Sequence, residues 1–249
     1  IMSQFNKKYK VLNLLNELHL KLNFKNYLKE LEKDKSFLNQ INEKINSNKI
    51  FEKRGFKSIY EFSVYRNFIY SLIRNHKPTI VLETGVLHGL TSAWILKALK
   101  DNKNGKLISI DLPRREWKNF FGNKPFGPGG QAEFELQNEI PGWIIPDNLK
   151  ENWELNLGPS SEFLEKILKT NREIDLFIHD SDHSYEVMKF ECDLVQKYLN
   201  NIDIIIDDHY CNNYYEEFSK NFERTYHFID DIDDNQKQVE GSLFFPKIN

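Results

Sequence analysis

The rhythm of apolar positions changes once along the chain. Val11, Leu14, Leu15, Leu18 and Leu22 recur at helical spacing, as do Leu28 and Leu31, then Leu38, Ile41 and Ile45. The pattern predicts two or three amphipathic helices with lysine-rich outer faces, an N-terminal helical extension or cap over residues 1–58. A solvated cap packed on the main domain is the plainest reading; a dimerisation arm or a substrate-covering lid is the functional alternative. The charged run KELEKDK fits a solvated helix face. Gly55 breaks the chain, and Ile59 to Arg74 follows helical spacing until Pro78 closes it.

From residue 79 the runs are short and β-branched: TIVLETG, KLISIDLP, WELNLGP, IDLFIHD and IDIIIDD. Helical stretches lie between most of them, at Leu90–Lys100, Ser161–Lys169 and Tyr185–Leu199. Alternating strands and helices predict an α/β fold over 59–249, a doubly wound, mostly parallel sheet with helices on both faces. Continuous apolar runs fit strands buried on both sides. Residues 113–147, rich in Pro, Gly, Trp and Phe, are long for a connection and predict an inserted lid-like loop. The tail RTYHFIDDID…VEGSLFFPKIN predicts a terminal antiparallel hairpin.

Composition narrows the function classes. Hydrophobic residues make up 40% and charged residues 29% of 249 residues, as in a globular protein rather than a disordered one. The net charge of −3 and pI near 6.2 argue against a nucleic-acid partner. No run approaches the roughly 18 apolar residues of a membrane span, and the first twenty residues lack a secretory pattern. Cys192 and Cys211 are the two cysteines and neither lies in a CxxC. That argues against a disulfide framework or a thiolate zinc site, and a cytoplasmic location is the simplest expectation. The N-terminal helices leave room for a homodimer.

Two constellations carry chemistry. The first is V-L-E-T-G-V-L-H-G-L-T-S, a strand, a glycine turn at Gly85 and Gly89, and a helix start. Val86 and Leu87 stand where the dinucleotide fingerprint has its second glycine, and no G-K-S/T follows, so it is neither that motif nor a Walker A loop. The next strand ends on Asp111, whose carboxylate can accept both hydroxyls of a ribose. A glycine turn plus a ribose acid without the dinucleotide pattern suggests an adenosine-bearing cofactor lacking a pyrophosphate.

The second constellation is HDSDHS and DDH. Two strands deliver Asp180 and Asp182, then Asp207 and Asp208. Adjacent strands lie about 4.8 Å apart, so these carboxylates converge at one sheet end. A divalent cation would relieve their repulsion, and oxygen ligands favour Mg²⁺, Mn²⁺ or Ca²⁺. The neighbouring His179, His183 and His209 also admit Zn²⁺ or Fe²⁺.

ETGVLHGLTS followed by ISIDLP resembles the first two motifs of class I S-adenosylmethionine-dependent methyltransferases, and the order of elements from about 79 to 249 follows that family. FIHDSDHSYEVM and DIIIDDH resemble its metal-assisted branch, which includes macrocin-type sugar O-methyltransferases and cephalosporin-hydroxylase-like proteins. The resemblance implies a seven-stranded Rossmann-like sheet whose last strand is reversed. It implies Glu83, Gly85 and Ser92 at the methionine end of S-adenosylmethionine, Asp111 at the ribose and Ser160 near the adenine. The family's usual acid near the adenine is missing from Gly158-Pro159-Ser160-Ser161. The resemblance further assigns Asp180, Asp207 and Asp208 to a divalent metal, Mg²⁺ first, and Asp182 to the general base, with His183 as its substitute. The implied activity is methyl transfer to a hydroxyl of a sugar or other small molecule. A metal-dependent hydrolase using the same Asp/His cluster and a non-catalytic cofactor-binding protein are the competing readings.

Overall fold

The computed structural model describes residues 21–47, 63–112, 140–223, 225–232 and 238–246. Three helices lead: α1 (Lys21–Lys33), α2 (Lys35–Ser47) and α3 (Ser63–His76). Asp34 separates the first two, its Oδ1 accepting the Phe37 amide at 3.0 Å, an N-cap on α2. The apolar stripe read from the sequence faces inward, with Leu28, Leu31, Leu38 and Ile41 buried.

An alternating series follows: β1 (Ile80–Thr84), α4 (Leu90–Asn102), β2 (Lys106–Asp111), β3 (Trp153–Leu157), α5 (Ser160–Thr170), β4 (Ile174–His179), α6 (Tyr185–Tyr198) and β5 (Asp203–Ile206). A short turn at His209–Cys211 and α7 (Tyr214–Phe218) lead to β6 (Tyr226–Ile232) and β7 (Gln238–Phe245). The seven strands are ordered β3-β2-β1-β4-β5-β7-β6. Pairing is parallel from β3 through β5, and β7 runs antiparallel to both β5 and β6. The fold class is the expected α/β Rossmann-like methyltransferase sheet with its last strand reversed.

Period-two alternation splits each strand between two cores. Val81, Leu107, Leu176 and Ile205 pack under α1 to α4, with Trp94 and Phe37 edge to face at 5.0 Å. Ile80, Leu82, Ile108, Phe177, Ile204 and Ile206 pack under α5 to α7. By the same parity Glu83 and Ser109 lie on the first face, and Thr84 and His179 on the second. Among the described residues no helix is long and apolar enough to cross a membrane. Of the expected lid-like loop, residues 113–139 lie outside the described residues, as does most of the 1–22 periodicity. Residues 141–146 are packed, with Ile144 and Ile145 fully buried.

Candidate active site

Register brings the strand ends level. Glu83 pairs with Ser109, Thr84 with both Ile110 and His179, and His179 with Ile206. One further backbone bond extends each pair: Gly85 N–H to Ile110 O, Asp180 N–H to Thr84 O, and Asp207 N–H to His179 O, each 2.9 Å. The glycine turn and both acidic segments therefore open at one edge of the sheet.

The turn is built differently from its sequence appearance. Gly85 has φ +85, and a Cβ there would overlap the Asp180 carbonyl oxygen; Gly89 has φ +86, and a Cβ would lie 2.7 Å from Gly142 Cα. Protein backbone fills both spaces, so the glycines serve chain packing. Between them Leu87 adopts φ +49, a left-handed conformation that costs a branched L-residue about 1–2 kcal/mol. Asp111 holds it there: its Oδ2 accepts the Leu87 amide at 2.8 Å and the Val86 amide at 3.2 Å. Residues 142–145 brace the other side. Gly142 N–H donates to Leu87 O (2.9 Å), Ile144 N–H to His88 O (3.1 Å), and Trp143 Nε1–H to His88 Nδ1 (2.9 Å). Lys44 of α2 in turn donates to the carbonyls of Trp143 (2.9 Å) and Ile145 (3.1 Å).

Glu83 is fully buried. Its Oε2 accepts from Ser92 (2.7 Å) and Ser109 (2.8 Å), and Trp153 Nε1–H donates to Ser109 at 2.9 Å. Its Oε1 is buried with no hydrogen-bond partner. Burial pushes the carboxyl up to about 8 against the pull of the two serines, with Asp180 and Asp111 adding repulsion. Burial likewise raises Asp111 to about 6 despite the backbone amides it accepts.

The opposite face carries a residue that motif reading passed over. Glu191 of α6 is fully buried and accepts from Thr84 (2.6 Å) and from Ser181 (3.0 Å), and its Oε2 lies 2.7 Å from His179 Nδ1. Burial disfavours its charge, but His179, Ser160 and Thr84 outweigh that and hold it below its ordinary value. The signal was present: Met188, Glu191, Cys192 and Val195 form the buried stripe of α6, and an acid within such a stripe implies partners. The Ser160 hydroxyl turns toward Glu191.

The acidic residues are brought together only in part. His183, 5% exposed, lies between two of them, with Nε2 3.8 Å from Asp180 Oδ1 and Nδ1 3.4 Å from Asp208 Oδ2. Burial opposes the imidazolium, but these carboxylates and Cys211 outweigh it and raise His183 well above its ordinary value. Asp182 Oδ1 accepts the Ser184 amide at 2.8 Å and shapes the turn into α6. Among the described residues, the group spaced to hold an ion is His183, Asp208 and Cys211. Asp180 and Asp207 of the expected trio Asp180, Asp207 and Asp208 are outside that group. Cys211, the other residue missed, is distant from His183 in sequence and adjacent only through the fold.

A family model described as a methyltransferase domain matches residues 82–209, just over half of the chain. Among solved structures the chain is similar to the O-methyltransferase TomG from Streptomyces achromogenes, involved in tomaymycin synthesis and determined in complex with SAM. The identity is 12%, over 87% of this chain and 91% of that one, with a TM-score of 0.51. It is also similar to a putative O-methyltransferase from Klebsiella pneumoniae at 14% identity, covering 74% and 80% of the two chains, with a TM-score of 0.48. The O-methyltransferase from Bacillus cereus in complex with SAH gives the same four values. At these identities the likeness is one of fold. No curated protein sequence matches significantly.

Proposed function

The chain belongs to the methyltransferase domain family, and from that premise we propose that it transfers a methyl group from S-adenosylmethionine to a hydroxyl of a small molecule. The observation that carries this reading is the buried, unpartnered Oε1 of Glu83, one strand away from Asp111 at the open sheet edge. A buried carboxylate oxygen without a donor is costly unless a ligand supplies one. The bound cofactor supplies an electrophilic sulfonium methyl group.

Each residue then has a role. Glu83 accepts the ammonium of the methionine end, and Ser92 positions it through Oε2. Asp111 accepts ribose hydroxyls with the oxygen capacity left beside the Val86 and Leu87 amides. Gly85 keeps the β1 and β4 ends close enough for both constellations to face one ligand. Since the Ser160 hydroxyl turns toward Glu191, and the Glu162 amide donates to Pro159 O at 3.0 Å, adenine contacts fall to the Ser160 and Ser161 backbone amides at the start of α5. The acceptor's proton passes to the Asp180–His183–Asp208 group, whose side chains lie within 3.4–3.8 Å of the central ring. Asp182 acts by shaping the loop through Ser184. Tyr210, 43% exposed beside His209, offers a face on which a sugar or aromatic acceptor can stack. The SAM-bound state of the similar TomG structure supports the choice of cofactor.

Calorimetric titration of S-adenosylmethionine into wild type and Asp111→Ala tests the reading. Wild type should bind saturably, and the mutant should bind about 10–100-fold more weakly, the worth of a lost charge-assisted hydrogen bond. A wild-type protein that does not bind the cofactor would overturn it and return the cluster to the hydrolase reading.

A further inference from the structure

We propose that His183, Asp208 and Cys211 form a three-ligand site for a borderline divalent transition-metal ion of the zinc class, with one coordination position open. One imidazole nitrogen, one carboxylate oxygen and the Cys211 sulfur all lie within 4.8 Å of one another. Three separate constraints hold them together. Asp208 and Cys211 sit on a single turn, closed by the Cys211 N–H bond to Asp208 O at 3.0 Å. The next residue, Asn212, reaches back with its Nδ2 to donate to the His183 carbonyl at 2.9 Å, which pins the β4–α6 loop to that turn. His183 itself is 5% exposed, and its Nδ1 has no hydrogen-bond partner although Asp208 Oδ2 is 3.4 Å away. A buried imidazole within reach of a carboxylate and a thiol is spaced to share an ion with them.

The donor set decides the class of ion. Mg²⁺ and Ca²⁺ prefer oxygen ligands, whereas a thiolate and an imidazole favour Zn²⁺ and its neighbours. Three protein ligands and a vacant fourth position are the pattern of reactive zinc sites, not of closed structural ones. Asp180 Oδ1, 3.8 Å behind His183 Nε2, stands where a carboxylate orients a ligating histidine through its second nitrogen. The ion would bind Cys211 as thiolate and His183 as neutral imidazole, releasing to solvent the thiol proton and the proton that the neighbouring carboxylates favour on His183. This differs from an all-oxygen magnesium site, with which it shares Asp208 alone. It shares His183 and Asp208 with the proposed proton acceptor, but the test below reads metal binding, so its failure would leave cofactor binding untouched.

The experiment titrates Co²⁺ into the full chain under reducing conditions and follows the near-ultraviolet thiolate-to-cobalt charge-transfer band. Saturation at one equivalent is expected, with Zn²⁺ displacing the cobalt and equimolar Mg²⁺ leaving it bound. Cys211→Ser should abolish the band, and Asp208→Asn should weaken binding by at least about tenfold. Should Cys211→Ser fail to fold, iodoacetamide labelling of wild type replaces it, since Zn²⁺ must slow alkylation of Cys211, the half-exposed cysteine. No band, a band that survives Cys211→Ser, displacement by Mg²⁺, or alkylation at the same rate with and without Zn²⁺ would each overturn the proposal.

Discussion

Glu83 shows how one atom can set a ligand's behaviour. Burial lifts its carboxyl from 4.5 to about 8, so the folded protein holds a proton that the unfolded chain gives up. Its contribution to stability is complete below about pH 4.5 and is lost as pH rises through about 8. An ammonium at Oε1 favours the charged carboxylate, so cofactor binding near pH 7 should expel about one proton. Calorimetry in two buffers of different ionisation enthalpy reads this directly: the apparent enthalpy should depend on buffer in wild type and not in Glu83→Gln. Buffer-independent enthalpy in wild type would show that Glu83 does not meet the ammonium. Both Glu83 and Asp111 were legible in the sequence because each ends an apolar strand. Glu191 was passed over: its place in the apolar stripe of α6 signals buried partners without saying which, and they come from three other segments.

Among the elements, the β1–α4 turn depends on its neighbours more than on its own sequence. Its spacing without a central glycine was visible, but that Leu87 would take the left-handed conformation was not, since Asp111, Gly142 and the 142–145 segment impose it. Gly85→Ala should destabilise the protein by roughly 3 kcal/mol, combining backbone strain with overlap against the Asp180 carbonyl. An unchanged thermal midpoint would contradict that packing. Lys44 makes a longer connection, tying α2 to the carbonyls of Trp143 and Ile145. Lys44→Met should speed amide exchange at residues 142–145 by about 10–100-fold, the worth of hydrogen bonds to a charged donor. The same variant should weaken cofactor binding while shifting the melting temperature little. Exchange at the wild-type rate would mean that the brace holds without α2.

For the whole molecule, the α/β class followed from pattern alone, because alternation of apolar runs and helices admits few topologies, whereas the seven-stranded sheet with its last strand reversed followed from the family resemblance. The relation of the N-terminal helices to the rest did not follow, since amphipathic spacing gives a buried face but not what covers it. Phe24, Leu28, Leu31, Phe37, Leu38 and Ile41 belong to the same core as Val81, Trp94 and Leu176. We propose that the helices over residues 21–47 complete that core layer. At about 1.5–3 kcal/mol for each buried side chain, their loss would consume most of a typical stability of roughly 5–15 kcal/mol. A chain beginning at residue 59 should therefore aggregate or melt without cooperativity, whereas a soluble, cooperatively melting fragment would make the helices a separable appendage. The central position of β1 has another consequence. Its partners β2 and β4 both follow it in sequence, one near and one far, and Gly85 meets Asp180 only when a loop of nearly a hundred residues has closed. Such non-local closure is slow relative to helix formation. A chain still being synthesised, or one halted before β4, would have its glycine turn but no opposing strand end, so catalytic competence would emerge only at the last stage of folding.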